Sequence, residues 1–209
     1  MDKDVEFFIK KFNVSRETIE KLNKYRDFLA SSNKLLNLIG KTTENHIFSR
    51  HFTDSAQIYD LIEDKSEIID LGSGAGFPGV ILKILIDYHK KDINITLIEK
   101  SPKKCKFLQD LSYKLGLTLK IVNLKLENFK FNKISTIVSR AFKKTVDTID
   151  ILLKNNDKIR NIILIKGKTY QQEIEEAKKK YTFDVEKFRS ITSDESYILK
   201  ISNIKRNTT

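Results

Sequence analysis

Several residue types are scarce in this sequence of 209 residues, and each scarcity excludes a class of protein. The single cysteine, Cys105, excludes an internal disulfide framework and a cysteine-based metal site. No apolar run reaches the roughly 18 residues that a membrane span requires, and the best candidate, residues 79–86, contains Lys83. Residues 1–4 include two acids and no long apolar stretch follows them, which argues against a secretory signal. We therefore predict a cytoplasmic monomer that does not bind membranes.

The charge balance is strongly basic and indicates an anionic partner. The chain has 39 Lys and Arg residues against 28 Asp and Glu residues, a formal net charge of +11. Such a balance is typical of proteins that bind nucleic acid. A genome biased toward A and T is the alternative explanation, since it raises Lys, Asn and Ile while lowering Gly, Ala and Pro. Hydrophobic residues make up 40% of the chain, which is enough for a packed core and excludes a mostly disordered protein.

The periodicity of the apolar residues changes near residue 65. Before that point apolar residues recur at helical spacing, with a helix end predicted at Gly40 and a further helix predicted over Thr43–Ile62. From Ser66 onward, short apolar segments alternate with helical ones. We therefore predict an N-terminal helical extension over residues 1–65, packed on an α/β domain over residues 66–209.

Seven segments of the second part are predicted to be strands, and four are predicted to be helices. The predicted strands are Glu67–Leu71, Ile95–Glu99, Leu119–Asn123, Ile134–Ser139, Asn161–Lys166, Val185–Ile191 and Tyr197–Ile204. The predicted helices are Pro78–His89, Pro102–Leu115, Lys144–Lys154 and Tyr170–Tyr181. Ser101 is predicted to cap the second helix, and Thr169-x-x-Gln172 resembles a capping box at the fourth. The alternation predicts a mostly parallel sheet with an antiparallel C-terminal edge, and ligands of such sheets bind beyond the carboxyl ends of the strands.

The strongest local signal is a glycine-rich loop directly after the first predicted strand. Four of the seven glycines lie in the run Asp70-Leu71-Gly72-Ser73-Gly74-Ala75-Gly76-Phe77-Pro78-Gly79. Glycine permits positive φ angles and close approach of the backbone to a ligand, and the helix that follows offers unpaired N–H groups. A turn without a ligand needs fewer glycines, so we expect Gly72, Ser73 and Gly74 to contact a cofactor.

Two classes of cofactor use such a loop. The spacing G-x-G-x-x-G that starts at Gly74 formally matches the dinucleotide fingerprint. S-adenosylmethionine is the alternative, and Asp70 favours it because an acid there would repel a pyrophosphate but can hold the amino group of this cofactor. Pro78 also removes an N–H group that a pyrophosphate would use. Glu99 ends the second predicted strand, where a carboxylate can accept hydrogen bonds from both ribose hydroxyls.

Segments along nearly the whole chain resemble one family. They are Asn37-Leu38-Ile39, Arg50-His51-x-x-Asp54-Ser55, Asp70 to Gly79, Leu97-Ile98-Glu99, Lys103-Lys104-x-x-Phe107-Leu108, Leu126-Glu127, Val138-Ser139-Arg140-Ala141 and Lys166-Gly167. The sequence resembles the bacterial 16S rRNA (guanine-N(7)) methyltransferases, also called the glucose-inhibited division protein B family. The glycine loop alone is typical of methyltransferases in general, whereas the segments before and after it are specific to this family.

The resemblance implies a Rossmann-like, S-adenosylmethionine-dependent methyltransferase fold. It further implies transfer of a methyl group to N(7) of one guanine in 16S ribosomal RNA, whether as free RNA or in a small-subunit particle. By similarity the cofactor contacts Gly72, Phe77, Leu126, Glu127 and Arg140.

Four side chains are candidates for contact with the RNA: Arg50, His51, Lys125 and Lys166. Lys125 stands where the family usually has arginine, so it keeps the charge but loses the planar guanidinium. His51 is equally well explained as a packed core residue, and Lys166 as a solvated lysine. Guanine N(7) keeps its lone pair at neutral pH, so the reaction needs no general base, and no metal site is predicted. Arg140 and Lys166 are therefore candidates for positioning the reactants. The alternative for Arg140 is an ion pair with Asp54 or Glu127, which would still shape the site.

Two other functions are compatible with these residues. One is a methyltransferase that acts on a small molecule or a protein, because one fold hosts many acceptors. The other is a binding protein without catalysis, for RNA or for a nicotinamide dinucleotide. The complete set Asp70, Gly72, Gly74, Glu99 and Arg140 argues against this second possibility.

Overall fold

A seven-stranded sheet with helices on both faces forms the framework of the protein. The computed structural model describes residues 2–62, 67–131, 135–155 and 159–207. The strands are β1 (Glu67–Leu71), β2 (Ile95–Glu99), β3 (Lys120–Asn123), β4 (Ser135–Arg140), β5 (Ile159–Lys166), β6 (Tyr181–Arg189) and β7 (Tyr197–Arg206). The α-helices are α1 (Lys3–Phe12), α2 (Arg16–Leu36), α3 (Asp54–Ala56), α4 (Gly79–Tyr88), α5 (Pro102–Leu115), α6 (Thr145–Asn155) and α7 (Tyr170–Lys178).

The strand order places the end of β1 at the centre of the sheet. The order is β3-β2-β1-β4-β5-β7-β6, and the chain reverses direction across the sheet between β3 and β4. Strands β1 to β5 pair in parallel, while β7 pairs antiparallel with both β5 and β6. The predicted fold class is therefore confirmed, and the carboxyl ends of β1, β2, β3, β4 and β5 meet at one edge.

The alternation of side chains along the strands divides the core into two layers. In β1, Ile68 packs into the layer beneath α4 and α5, whereas Ile69 and Leu71 pack into the layer beneath α6 and α7. The buried residues of α1 and α2 belong to the same layer as α4 and α5, and Phe28 stacks on Phe107 with ring centroids 5.3 Å apart. The N-terminal helices thus share a hydrophobic core with one face of the sheet.

The single helix predicted over Thr43–Ile62 is wrong. The chain instead forms a 3₁₀ helix over Lys41–His46, a π-helical segment over Phe48–Thr53, the short α3, and a 3₁₀ turn over Tyr59–Leu61. Long-range contacts explain the departure, because the carbonyl of Arg50 accepts a hydrogen bond from the distant Arg140 at 2.8 Å. Irregular turns of this kind often occur at functional sites.

Several predicted boundaries also need correction. Helix α2 ends before Gly40, and Asn37 in the left-handed conformation (φ 47°) caps it. Ser101 caps α5 as predicted, but Thr169 makes no side-chain capping bond to α7, because its hydroxyl donates to Glu173 instead. The predicted bounds of β1, β2 and α5 match the structure, and about half of the described strand and helix ends in residues 67–207 shift by one to four residues. The predicted boundary at residue 65 and the start of the strand predicted from Ile134 lie outside the described residues. In the described part of the chain, no helix is long and apolar enough to cross a membrane.

Candidate active site

The glycine loop leaves the end of β1 with left-handed backbone angles that only glycine adopts easily. Gly72 has φ +66° and Gly74 has φ +56°. A Cβ atom at Gly74 would have a backbone oxygen 3.7 Å away as its nearest neighbour, so the space beside this residue is open. A Cβ atom at Gly72 would lie 2.5 Å from Cδ2 of Phe142, so this residue leaves room for an aromatic ring. The nearby Ser73 is buried, and its hydroxyl donates to the backbone oxygen of Asp70 at 3.2 Å.

Asp70 lies beneath this loop and is fully buried. Its Oδ2 atom accepts a hydrogen bond from the first backbone N–H of α4, at Gly79, over 3.1 Å. Among the residues that the structure describes, its Oδ1 atom has no hydrogen-bond partner. Burial raises the pKa of Asp70 to about 7, and the negative charge of Glu99 acts in the same direction. Asp70 therefore holds the start of α4 and keeps one oxygen for a polar group or water.

Glu99 fastens the glycine loop to the start of α5. Its Oε2 atom accepts from the N–H of Gly74 at 3.0 Å, and its Oε1 atom accepts from the N–H of Ser101 at 2.8 Å. Glu99 is 6% exposed and lines a cleft at the strand ends. A carboxylate accepts about four hydrogen bonds, so each oxygen keeps capacity for a hydroxyl group in the cleft.

The cleft beside the loop has a volume of about 430 Å³. Of the residues predicted to bind a cofactor, Gly72, Glu99, Leu126 and Glu127 line it, together with Lys125. Lys125, which was predicted to contact RNA, thus lies at the same cleft as four of the residues predicted to bind the cofactor. The cofactor cleft, as we call it, is completed by Ile98, Lys100, Lys104, Leu124, Ala141, Phe142 and Lys143.

Arg140, at the end of β4, is fixed by three residues of the N-terminal extension. Its Nε atom forms an ion pair with Oδ2 of Asp54 at 2.8 Å. One terminal nitrogen donates to Nδ1 of His51 at 2.8 Å, and the other donates to the carbonyl of Arg50 at 2.8 Å. The guanidinium is therefore held in a single orientation, which suits a positioning role.

His51 is part of this support and does not face a cleft. It is 6% exposed, and its Nε2 atom bonds to the hydroxyl of Thr43 at 2.8 Å. Because Nδ1 accepts from Arg140, Nε2 carries the proton in the neutral ring. Burial, followed by the charges of Arg140 and Arg50, lowers the pKa of His51 to about 3. Of the two interpretations of His51, the structure favours the packed core residue over the RNA contact.

The side chain of Phe77 is likewise internal. It is 6% exposed, stacks on His51 with centroids 5.1 Å apart, and has the guanidinium carbon of Arg140 5.7 Å from its centroid. The rings of Tyr25 and Phe52 pack on it at 5.6 and 6.0 Å. The ring of Phe77 thus packs against Arg140. It does not line the cofactor cleft, nor does it line the second cleft described below.

A second cleft, of about 400 Å³, is lined by Arg140, which does not line the cofactor cleft. We call it the basic cleft; Arg50, Asp54, Arg140, Ala141, Phe142, Lys143, Lys144, Ile165, Lys166, Gly167, Glu173, Thr192, Ser193 and Ser196 line it. It brings together the predicted Arg50, Arg140 and Lys166. The ammonium of Lys166, however, forms an ion pair with Oε2 of Glu173 at 2.8 Å and donates to the carbonyl of Lys143. Lys166 is thus neither the solvated lysine nor a free partner for phosphate.

Sequence reasoning missed two residues of this region, because nothing pointed to Phe142 or Tyr25. The alternative interpretation of Arg140, an ion pair with Asp54, is what the structure shows. Phe142 follows Arg140 closely in the chain, and a search of the residues just after each strand end would have found it. The Tyr25 hydroxyl donates to the carbonyl of Ala75 in the glycine loop at 2.6 Å, a contact across 50 residues of sequence.

Comparison with known proteins identifies the family. A family model described as rRNA small subunit methyltransferase G, or GidB, matches residues 18–199. The chain belongs to this family. A protein named ribosomal RNA small subunit methyltransferase G from Pelagibacter ubique is 37% identical over 204 residues, which cover 95% of this chain and 94% of the relative. The protein of the same name from Rickettsia felis is 36% identical over 194 residues, covering 92% and 97%. The family resemblance predicted from the sequence is therefore confirmed.

Solved structures place the GidB chain in the same fold class. The ribosomal protein L11 methylase of Lactobacillus delbrueckii subsp. bulgaricus aligns with a TM-score of 0.55 at 16% identity, covering 78% of this chain and 80% of that one. M. capricolum TrmK, solved with S-adenosyl-homocysteine, aligns with a TM-score of 0.53 at 15% identity, covering 74% and 68%. At these identities the likeness concerns the fold alone.

Proposed function

We propose that the protein transfers the methyl group of S-adenosylmethionine to N(7) of a guanine in 16S ribosomal RNA. The observation that carries this function is the pair of adjoining clefts at the carboxyl edge of the sheet in a member of the GidB family. One cleft has the glycine loop and a carboxylate, and the other has a predominantly basic lining.

The residues of the cofactor cleft fit S-adenosylmethionine. The open space beside Gly74 admits a ligand close to the backbone. The second lone pairs of Glu99 suit ribose hydroxyls. Asp70 is buried beneath the loop and does not line the cleft, and its Oδ1 atom, which has no partner among the described residues, suits an ammonium group through water. Leu126 offers an apolar surface to a base, with Glu127 beside it.

When bound, the cofactor supplies an electrophilic methyl group on a positively charged sulfur. The protein has no proton to remove from guanine N(7), so its residues act by position and electrostatics. Arg140 lines the basic cleft in a fixed orientation, next to the segment 141–143 that both clefts share, and its charge is balanced by Asp54 at 2.8 Å. That pairing limits the repulsion that a bare cation would exert on the positive charge that develops on the guanine ring.

The basic cleft provides the contacts for the RNA. Arg50 and Lys144 add positive charge to its wall, although Lys144 is also paired with Glu176 at 3.2 Å. Lys143 stands at the rim shared with the cofactor cleft. These charges suit phosphate groups, which contribute most of the affinity in such complexes.

The first experiment tests the reaction itself. Small-subunit particles and free 16S RNA are prepared from a strain that lacks the gene, and the purified protein is added with radiolabelled S-adenosylmethionine. We expect labelled RNA that is cleaved by N(7)-specific chemistry at one guanine. Label in protein or in small molecules, with no label in RNA, would assign the enzyme to another substrate.

A second experiment tests the cofactor. Calorimetric titration should show micromolar binding of S-adenosylmethionine and no binding of a nicotinamide dinucleotide. The reverse order of affinities would contradict the assignment of the glycine loop. We further propose that the protein acts as a cytoplasmic monomer, which sedimentation and cell fractionation would test.

A further inference from the structure

The aromatic ring of Phe142 forms part of the wall between the two clefts. Phe142 lines both the cofactor cleft and the basic cleft, as do its neighbours Ala141 and Lys143. The segment joins the end of β4 to the start of α6 and is the only run of three consecutive residues common to the two linings. A side chain in this wall can contact whatever lies in either cleft.

Two features of the backbone hold the ring in this place. Ala141 has a left-handed conformation (φ 51°), which is uncommon for a residue with a side chain and turns the chain sharply after Arg140. Gly72 lacks a side chain where a Cβ atom would lie 2.5 Å from Cδ2 and 3.0 Å from Cε2 of Phe142. The ring therefore rests on the backbone of the glycine loop, half-buried against the core layer of α6 and α7.

The chemistry of the ring differs from that of its surroundings. The basic cleft is lined mainly by charged and hydroxyl side chains, and Phe142 is the only aromatic residue among those lining it. The charges suit phosphates, whereas the face of a phenyl ring suits the face of a nucleobase. The ammonium of Lys143 lies 5.7 Å from the ring centroid, which places a phosphate-binding group next to the aromatic surface.

We propose that Phe142 stacks on the target base of the RNA and holds it beside the cofactor cleft. This proposal rests on the proposed function, because it assumes an RNA base in the basic cleft. It adds a residue and a contact that place the acceptor base at the junction of the two clefts. Stacking of one base on an aromatic side chain contributes enough free energy to change affinity roughly five- to 150-fold.

The test compares variants that remove the ring with one that keeps it. Phe142→Leu and Phe142→Met preserve apolar volume, and Phe142→Tyr preserves the ring. Phe12→Leu is the matched control, because Phe12 is also half-buried but lies on α1, away from both clefts. Thermal unfolding checks that each variant is folded, and the Met variant replaces the Leu variant if the latter does not fold.

Three quantities are measured for each variant: the Kd for S-adenosylmethionine, and the KM and kcat on 16S RNA. For Phe142→Leu and Phe142→Met we expect kcat/KM on RNA to fall at least fivefold, with the cofactor Kd unchanged within a factor of two. Phe12→Leu should remain near the original values, and Phe142→Tyr, which keeps the ring, should retain most of the kcat/KM that Phe142→Leu loses. A structural role alone would weaken cofactor and RNA binding together.

Two outcomes overturn the proposal while leaving the proposed function intact. If the wild-type protein methylates RNA and the Leu and Met variants do so equally well, the ring does not contact the base. If these variants lose cofactor affinity in proportion to their loss of kcat/KM, the ring serves the cofactor instead. If the wild-type protein itself does not methylate the RNA, the proposed function fails first and this proposal fails with it.

Discussion

Replacing Tyr25 with phenylalanine tests whether the N-terminal extension organises the glycine loop. Tyr25 is fully buried, its ring packs between Phe52 and Phe77 at 5.0 and 5.6 Å, and its hydroxyl donates to the carbonyl of Ala75 at 2.6 Å. Burial raises the pKa of Tyr25 well above its usual value, so the hydroxyl keeps its proton. A Cβ atom at Gly76 would lie 2.8 Å from this hydroxyl, so loop and hydroxyl fit each other closely.

The expected magnitude follows from the loss of one buried hydrogen bond. Tyr25→Phe keeps the ring but removes the donor to a buried carbonyl, which costs about 1–3 kcal/mol. Part of this cost lowers the free energy of unfolding. The lost hydrogen bond also leaves the glycine loop, with its left-handed angles at Gly72, Gly74 and Gly76, less restricted. Cofactor binding must then order the loop, and that ordering accounts for the rest of the cost. If half of a 3 kcal/mol loss appears in binding, the Kd for S-adenosylmethionine rises about tenfold.

Calorimetric titration measures the Kd, and urea unfolding measures the free energy of unfolding. Tyr113→Phe is the control, because Tyr113 lies on α5 with 92% exposure and should change neither quantity. A Tyr25→Phe protein that loses stability but binds the cofactor with the original affinity would refute the reasoning. The hydroxyl would then stabilise the fold without organising the loop.

Three further predictions concern single residues of the two clefts and their support. The folded-state pKa of His51 is about 3, below its ordinary value of 6.5. As the pH falls, the imidazole is therefore protonated in the unfolded chain before it is protonated in the folded protein, and the free energy of unfolding decreases between pH 6.5 and pH 3. In urea unfolding measured across this pH range, His51→Gln should show a smaller decrease. Gly74→Val should abolish cofactor binding in calorimetry while leaving the circular dichroism spectrum unchanged, because its branches would enter the open space and disfavour φ +56°. Lys166→Gln should lower the free energy of unfolding by roughly 1–3 kcal/mol, because it breaks a largely buried ion pair with Glu173. Expressed as a free energy, its effect on the KM for RNA should be smaller than its effect on unfolding.

The strands and the glycine loop were predictable because their signals are local. Each parallel strand is a short apolar segment, and four glycines in eight residues mark the turn after β1 without any knowledge of distant residues. The same holds for Glu99, since the end of a strand in a parallel sheet fixes where its side chain lies. The antiparallel edge followed from the short connection between β6 and β7.

The failures concern residues whose environment is set by distant parts of the chain. The helix predicted over Thr43–Ile62 gives way to 3₁₀ and π turns. In the π-helical segment, the carbonyl of Arg50 and the ring of His51 bond to Arg140, about 90 residues away. The sequence predicted that the ammonium of Lys166 would contact RNA, but in the fold it forms an ion pair with Glu173 of α7. Periodicity and residue type carry little information about such pairs, so sequence reasoning found the candidates but, apart from Asp54, not their partners.

These partners make the N-terminal extension part of the candidate active site. Arg140 ends β4, yet all three partners of its guanidinium nitrogens come from residues 50–54, which precede β1. Asp54 also accepts from Thr192 at 2.7 Å, in the turn between β6 and β7, so the same residue ties the antiparallel edge to the cleft. A strand end in a parallel sheet can place an arginine but cannot fix the rotation of its guanidinium. The extension supplies that constraint through one carboxylate, one neutral imidazole and one carbonyl, so orientation at Arg140 depends on packing between the two parts of the chain.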